Sequence, residues 1–589
     1  MKNPIEFYIS EKVFFEKKVN DLKRKLAVSS TIRLLVFLAT SLGIYFYSNN
    51  SKIMIPIAVI GVICFIYLIF RHAFLQDNKR LYVELTAINK KEIEVLNDNY
   101  FNLNKGEEFI DATHFYSFDI DLFGKGSFFQ YCNRTTTTGG REKFVKTLTE
   151  NHISDIDLKQ EAIKELANHP KWRQQFSAIA SLVKVQHSPK SIVNWIHNYT
   201  SVFSKSISLL LVLFPIISFV VIALVSIQVF PFKVLVYWFF IGLGVSMLFL
   251  KKVNKIYETS GKAKDTFKQY HQLLNKIESI EFNSVTLKEK QQDIQSKSLK
   301  ASVIFEKFSK ILEALDQRNN MMVAVFLNSL LLWDVQQVVK IEKWITTYRD
   351  TVENWFDIIS FFDAQNSLAN FTFNHPNSSF PEISKENLSI EATNLGHPLL
   401  KESTRINNDF AINSQHFFIV TGANMAGKST FLRTVSLAIV MANMGLPVCA
   451  KSFKYSPVKL ITSMRTSDSL ADKESYFFSE LKRLKFIVDE IKNEDYFIIL
   501  DEILKGTNSV DKAIGSKKFV QKLVSSKSTG IIATHDLSLC EIEKDLPEVE
   551  NFYFDAEIIN NELNFDYKFK DGICKNMNAS FLLKKMEII

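Results

Sequence analysis

The chain has 589 residues, and its 71 basic and 63 acidic side chains leave a net charge of +8. At ~100–200 residues per domain this is too long for one domain and suits three or four, and 47% hydrophobic with 23% charged residues excludes a disordered or collagen-like chain. Only 18 glycines and 12 prolines point to long helices and few turns, while the mild basic excess permits nucleic acid or anionic lipid as a partner without demanding either.

In chain order, residues 1–29 read as a charged amphipathic helix with Phe14, Phe15 and Leu22 among lysines. Residues 30–72 hold two charge-free stretches, Leu34 to Ser51 and, after Lys52, Ile53 to Phe70. Each approaches the roughly 20 apolar residues that cross a bilayer, so the pair predicts a transmembrane hairpin. Residues 73–118 are polar, with a helical pattern from Arg80 to Leu96, and read as a helical linker. Residues 119–204 contain a polar run, Arg134-Thr-Thr-Thr-Thr-Gly-Gly-Arg141, followed by helical patterns that include Lys159 to Val185. Residues 205–250 repeat the hairpin plan: Ser206 to Phe232, then Lys233, then Val234 to Leu250.

Lys17, Lys18, Lys23, Arg24, Lys25 and Arg33 precede the first hairpin; Arg71, Lys79 and Arg80 follow it. Lys205 precedes the second, and Lys251, Lys252 and Lys255 follow it. Positive flanks mark the cytosolic side. They predict a multi-pass protein of the cytoplasmic (inner) membrane with both termini and the large domains in the cytosol. No small-residue cleavage site follows the first run, which argues against a signal peptide. Cys64, Cys132, Cys449, Cys540 and Cys574 lie far apart without metal-ligand spacing, as in a reducing compartment.

Residues 251–375 show long helical periodicity, with Phe305, Phe308, Ile311 and Leu312 on one face and Trp344, Tyr348, Val352, Trp355 and Ile359 on another. These stripes predict the core of a helix bundle. Residues 376–387, with Pro376 and Pro381 at or beside them, read as a linker. From 388 to 589 short apolar runs alternate with helical patterns, the mark of an α/β domain.

The chemistry sits in that last domain. Phe417 to Val420 reads as a buried strand, Gly422-Ala423-Asn424-Met425-Ala426-Gly427-Lys428-Ser429 as a phosphate-binding loop, and Thr430 to Met444 as a helix. The glycines let backbone N–H groups converge on phosphate oxygens, and the helix N-terminus adds the positive end of its dipole. Lys428 is expected to reach the β and γ phosphates of ATP, and Ser429 to ligate Mg²⁺. A second strand, Tyr496 to Leu500, ends in Asp501 and Glu502. Asp501 suits Mg²⁺ held through water, and Glu502 suits the general base that polarises the attacking water. A third strand, Gly530 to Thr534, ends in His535, placed to sense the γ-phosphate.

With these residues in view, the chain resembles the MutS family of DNA mismatch repair ATPases, within the broader ABC-type ATPases. The segment from Thr421 to Thr430 is similar to the family's TGPNMGGKST, and Leu500 to Asp511 to its LMDEIGRGTSTYD. Ala533-Thr534-His535 matches its ATH, Gly396-His397-Pro398 resembles its RHP segment, and Asp566 to Gly572 its closing strand. In Ser467 to Leu481, Ser475, Phe477 and Glu480 take the positions of the family's signature region. Phe128 to Arg141 and Phe362 to Ala369 resemble the start of the core domain and the end of the lever helices, so the likeness spans about 119 to 200 and 251 to 585.

The resemblance implies a dimer of ATPase domains in which Ser475 reaches the partner's γ-phosphate, Asn424 lies against the nucleotide and His535 acts as the switch. It implies ATP hydrolysis that drives the lever helices, with DNA as a partner. Ala423 and Ala426 depart from the family loop, and an added Cβ at position 426 is expected to crowd the phosphates slightly. The adenine contact falls to Arg405 or Phe410 and stays open. Only about 30 residues precede the first hairpin, leaving no room there for a mismatch-reading domain. Two functions remain: a membrane-anchored MutS-like ATPase with a mismatch-repair-like role on DNA, or a membrane ATPase for transport or envelope remodelling that never touches DNA. The charge-free spans and the missing Ser-Gly-Gly-Gln run rank transport second.

Overall fold

The computed structural model describes residues 3–183, 188–204, 207–261, 263–295, 299–384, 388–465, 476–505, 507–559 and 562–575. It opens with two long antiparallel helices, α1 (Pro4–Phe46) and α2 (Ser51–Leu96). Both run unbroken through residues 29 and 72, so apolar and polar halves share one rod. At 1.5 Å per residue each is ~65 Å long, about twice the hydrocarbon core of a bilayer. In the polar half of α1, Tyr8, Glu11, Phe15, Val19, Leu22, Leu26 and Ser29 are buried at steps of three or four, the seam of a coiled coil. In the apolar half the side chains are largely exposed on all sides, among them Leu34, Phe37, Leu42, Ile60, Ile63 and Phe70. There the helices close on small residues: a Cβ on Gly61 would overlap Thr40, and one on Gly43 would press on Ile57.

Short helices follow: α3 (Phe128–Cys132), α4 (Thr138–Thr149), α5 (Ile156–Ala167), α6 (Pro170–Ser181) and α7 (Pro189–His197). A second apolar pair, α8 (Ile207–Ser226) and α9 (Phe232–Leu248), is joined by stacking of Phe214 on Trp238 at 4.9 Å and by Trp238 Nε1 donating to Ser218 Oγ. Next come α10 (Leu250–Ser260), α11 (Lys264–Glu278), α12 (Val285–Asp293), α13 (Ala301–Asp316), α14 (Met321–Leu331) and α15 (Trp333–Asn374). By length and composition α1, α2 and α8 each suffice to cross a membrane. The pairs α9–α10 and α14–α15 pass the same test only when joined across bends of 62° and 79°.

The helical core is aromatic, as the sequence stripes predict. Phe267 meets Phe305, Phe308 and Trp344 edge-on, and Phe308 stacks on Trp344. Helix α15, 42 residues and ~63 Å long, threads from this bundle into the α/β domain. Near its C-terminus almost every side chain from Phe362 to Phe371 is buried, polar ones included.

Two polar joints hold that end. The Asp363 carboxylate accepts from the backbone N–H groups of Thr136 and Thr137 and from both hydroxyls. Thr137 also caps α4 by accepting from Gly140 N–H, and Gly140 lets the carboxylate sit against the helix. This is the physical content of the Arg134–Arg141 run. Burial pushes Asp363 up to about 6 despite these donors. In the second joint, buried Glu92 of α2 pairs with Arg134 and accepts from Asn370 and Asn374 of α15, whose carbonyl oxygens take the Tyr8 hydroxyl of α1.

The α/β domain contains β1 (Glu382–Ile383), β2 (Leu388–Leu395), β3 (Asn408–Asn413), β4 (Phe417–Gly422), α16 (Lys428–Asn443), β5 (Ser452–Tyr455), β6 (Lys459–Ser463), α17 (Tyr476–Glu490), β7 (Tyr496–Asp501), α18 (Ser509–Ser525), β8 (Thr529–Ala533), β9 (Val549–Phe554), β10 (Glu557–Ile559), β11 (Glu562–Asn564) and β12 (Lys570–Asp571). The main sheet has the order β12-β9-β4-β8-β7-β6 and is parallel except for β12. A second sheet, β1-β5-β2-β3, lies beside it, and β10 and β11 pair alone. Phe417 to Val420 lies between Gly530–Ala533 and Val549–Phe552, so its side chains are buried on both faces.

Gly140→Ala would place a methyl in the Asp363 carboxylate. We expect it to cost ~1–3 kcal/mol, read as a lower thermal midpoint of the detergent-purified protein; an unchanged midpoint would refute the joint.

Candidate nucleotide-binding site

The site forms where the parallel strands end, the usual ligand position in open α/β sheets. Strand β4 finishes at Gly422, with φ +148° and no room for a Cβ beneath the Phe554 carbonyl. The chain turns through Ala423, Asn424, Met425 (φ +67°), Ala426 and Gly427 (φ +105°) into the first turn of α16 at Lys428, Ser429 and Thr430. That turn lines a cavity of about 550 Å³, a size that suits a cofactor. Ala426 corrects the sequence reading. Its methyl is fully buried in the core with Leu432 and Val435 and does not crowd the phosphate side.

Lys428 Nζ donates to the carbonyls of Gly422 (2.7 Å) and Ala423 (3.0 Å) and lies 3.3 Å from His535 Nε2. Burial pulls its pKa down, with Asp501 and Glu502 pulling it back. Ser429 Oγ donates to Asp501 Oδ2 at 2.6 Å. Glu502 sits in the left-handed region at φ +50°, which costs about 1 kcal/mol for a residue with a Cβ. Its N–H donates to Ala533 O of β8 at 2.9 Å, which fixes that geometry. The Glu502 carboxylate lies 3.4 Å from His535 Nε2 and 3.6 Å from Lys505 Nζ. Burial, then Lys428, holds the His535 pKa below its ordinary 6.5, so the ring is neutral at neutral pH.

The sequence placed Lys428, Ser429, Asp501, Glu502 and His535 in one site, and all five line the cavity with Asn424, Met425, Gly427 and Thr430. Ser475 lies outside the described residues. The helix that follows it, α17, supplies an unforeseen contact. Buried Glu480 accepts from the N–H groups of Leu504 (2.6 Å) and Lys505 (3.0 Å), bracing the loop after Glu502. Leu504 is itself left-handed, at φ +59°.

Of the two residues considered for adenine, Phe410 is excluded. It is 2% exposed and packs among Phe418, Phe431 and Phe569. Arg405 lines the cavity, holding Asn407 Oδ1 and the His397 carbonyl. Tyr567 was missed. It stands over the loop, its ring 3.1 Å from where a Cβ on Gly427 would fall, and is 43% exposed. Asn408 holds it there by donating to Tyr567 O and accepting from Phe569 N–H. Its only sequence signal was an aromatic in the segment read as the closing strand.

Ser429 and Asp501 supply a hydroxyl and a carboxylate oxygen to one cavity, hard donors of the kind that would hold Mg²⁺. No group of three or more His, Cys, Asp or Glu side chains gathers among the described residues.

Residues 418–585 match the family model for MutS domain V. The human MutS protein homolog 4 is 32% identical over 204 residues, 33% of this chain and 21% of the relative. The DNA mismatch repair protein MSH4 of Arabidopsis thaliana is 32% identical over 216 residues, 35% and 26%. The DNA mismatch repair protein MutS of Staphylococcus haemolyticus is 29% identical over 246 residues, 41% and 28%. The matches span about a quarter of the length of these relatives.

Tyr567→Ala is expected to weaken binding of an ATP analogue about 5- to 10-fold, the worth of ~1–1.5 kcal/mol of ring contact, while Tyr567→Phe keeps it. Equal loss in both, or no loss in either, would remove Tyr567 from the site.

Proposed function

We propose that this chain, a MutS-family protein through its C-terminal domain, is a membrane-anchored ATPase that binds and hydrolyses Mg²⁺-ATP as a dimer and turns nucleotide state into motion of α15. The single observation that carries the chemistry is the convergence of Lys428, Ser429, Asp501, Glu502 and His535 on one cavity. Lys428 would neutralise the transferred phosphoryl charge, Ser429 and Asp501 would hold Mg²⁺, and Glu502 would orient and deprotonate the attacking water. His535 Nε2 lies beside both Lys428 and Glu502, placed to report whether the γ-phosphate is in place. Mg²⁺ bound there would neutralise charge on the β and γ phosphates.

Dimerisation follows from the family resemblance: Ser475, immediately before α17, would reach the partner's nucleotide. Glu480 on the same helix touches the loop after Glu502. Engagement of Ser475 would therefore be felt at the catalytic carboxylate of its own chain. Anchoring rests on the exposed, uncharged surfaces of the two hairpins, and DNA engagement in a mismatch-repair-like role rests on the relatives' names alone. The packing of the far end of α15 against α14 favours a second reading, in which the same engine works on the membrane without DNA.

Lys428→Ala and Glu502→Gln should each lower turnover at least 100-fold, the second while sparing ATP binding; unchanged turnover in both would overturn the site. Stimulation by duplex, mismatched or branched DNA that fades with added salt would support the repair-like role, and indifference to every DNA would support the second reading. Because burial and Lys428 hold the His535 pKa below its ordinary value, turnover should hold through neutral pH and fall only at a pH below the ordinary histidine range, as the ring protonates. A rate that climbs as pH drops through that range would contradict its role.

A further inference from the structure

Helix α14 lies within the segment that the sequence assigns to lever helices, yet its surface is unlike theirs. Its 11 residues, Met321 to Leu331, carry no charge. Met321, Met322 and Phe326 are 81%, 74% and 59% exposed. The helix is seated on the second hairpin: Phe326, though largely exposed, also meets Phe239 of α9 edge-on at 5.7 Å, and a Cβ on Gly242 would overlap the Ser329 carbonyl. The exposed side is therefore continuous with the apolar surface of α8 and α9.

Length forbids a span. Eleven residues make ~16 Å of helix, about half the hydrocarbon core, the length of a re-entrant or interfacial segment. The flanks agree. Arg318, just before the helix, pairs with Asp334, just after it, at 3.5 Å. Arg318 also donates to Asn254 Oδ1, and Asn319 donates to the Tyr257 hydroxyl, both on α10. The excursion thus leaves one polar layer and returns to it. The return is abrupt. Leu332, at φ +51°, turns the chain by 79° into α15, and Asn328 Oδ1 accepts the Asp334 N–H to brace the bend.

We infer that α14 is buried in the acyl chains of the bilayer leaflet on the side of the ATPase domain, as a re-entrant foot that beds the N-terminal end of α15 in lipid. This rests on the proposed anchoring by the two hairpins. It adds that the lever is itself inserted, so that tilting α15 moves apolar volume within one leaflet.

The test uses the full chain with Cys64→Ser, its other cysteines being buried, reconstituted in phosphatidylcholine vesicles whose acyl chains carry bromine. Single cysteines at Met322→Cys and Phe326→Cys are labelled with an environment-sensitive fluorophore. Phe219→Cys on α8 serves as the span control and Lys310→Cys on α13 as the aqueous one. We expect Phe219, Met322 and Phe326 to be quenched at least 3-fold more than Lys310. Quenching at Phe219 but not at Met322 and Phe326 would overturn the foot and leave the anchoring intact. No quenching at Phe219 would overturn the anchoring and the foot together. Disulfide-linked dimers through Met322→Cys without lipid quenching would assign the face to a second copy and overturn the inference.

Discussion

The carboxylate of Asp363 is the joint on which this architecture turns. It fixes α15 to the Thr136–Thr137 corner through four donors, in a place that water does not reach. Removing one partner of such a buried group costs the full desolvation of the other. About two and three turns further along, Asn370 and Asn374 tie the same helix to Glu92 and Tyr8 of the first hairpin. The opposite end of α15 turns into α14 on the second hairpin. A single ~63 Å rod therefore joins both hairpins.

That rod also touches the nucleotide domain by way of the core. The C-terminal end of α16 meets α5, where Lys159 Nζ donates to Asn443 O. Asp119 holds the end of β6 by accepting from Thr462 Oγ1 and Arg465 N–H, and Arg483 of α17 donates to the carbonyls of His114 and Phe115. The C-terminal end of α16, the end of β6 and α17 thus all abut the segment from His114 to Lys159. Under the proposed function, these contacts give the site a packed route to α15.

How much of this was legible in the sequence follows from range. The phosphate loop, Asp501, Glu502 and His535 are strand ends in one parallel sheet, so local pattern located each and the sheet order brought them together. The apolar hairpins were legible because uncharged runs near 20 residues are rare. What failed depended on three dimensions. Ala426 differs from its family counterpart, but only the turn shows that its methyl points into the core. Phe410 and Tyr567 are both aromatics near the site, and only packing separates the buried one from the one facing the cavity. Helix α14 was missed because 11 uncharged residues fall below any span threshold. The Thr136–Thr137 run was flagged without a reason, since its partner lies 226 residues away.

The most direct test of the proposed function is whether nucleotide moves α15 relative to the α/β domain. Spin labels at Thr347→Cys on α15 and Lys518→Cys on α18, both exposed sites, would report that distance in vesicles by pulsed electron resonance, in a Glu502→Gln background with Cys64→Ser. The account predicts a distance distribution that shifts by several ångströms when Mg²⁺-ATP is added, and that shifts far less when Asp363→Ala unfastens the joint. An unchanged distribution under saturating Mg²⁺-ATP, with nucleotide binding confirmed on the same sample, would contradict it.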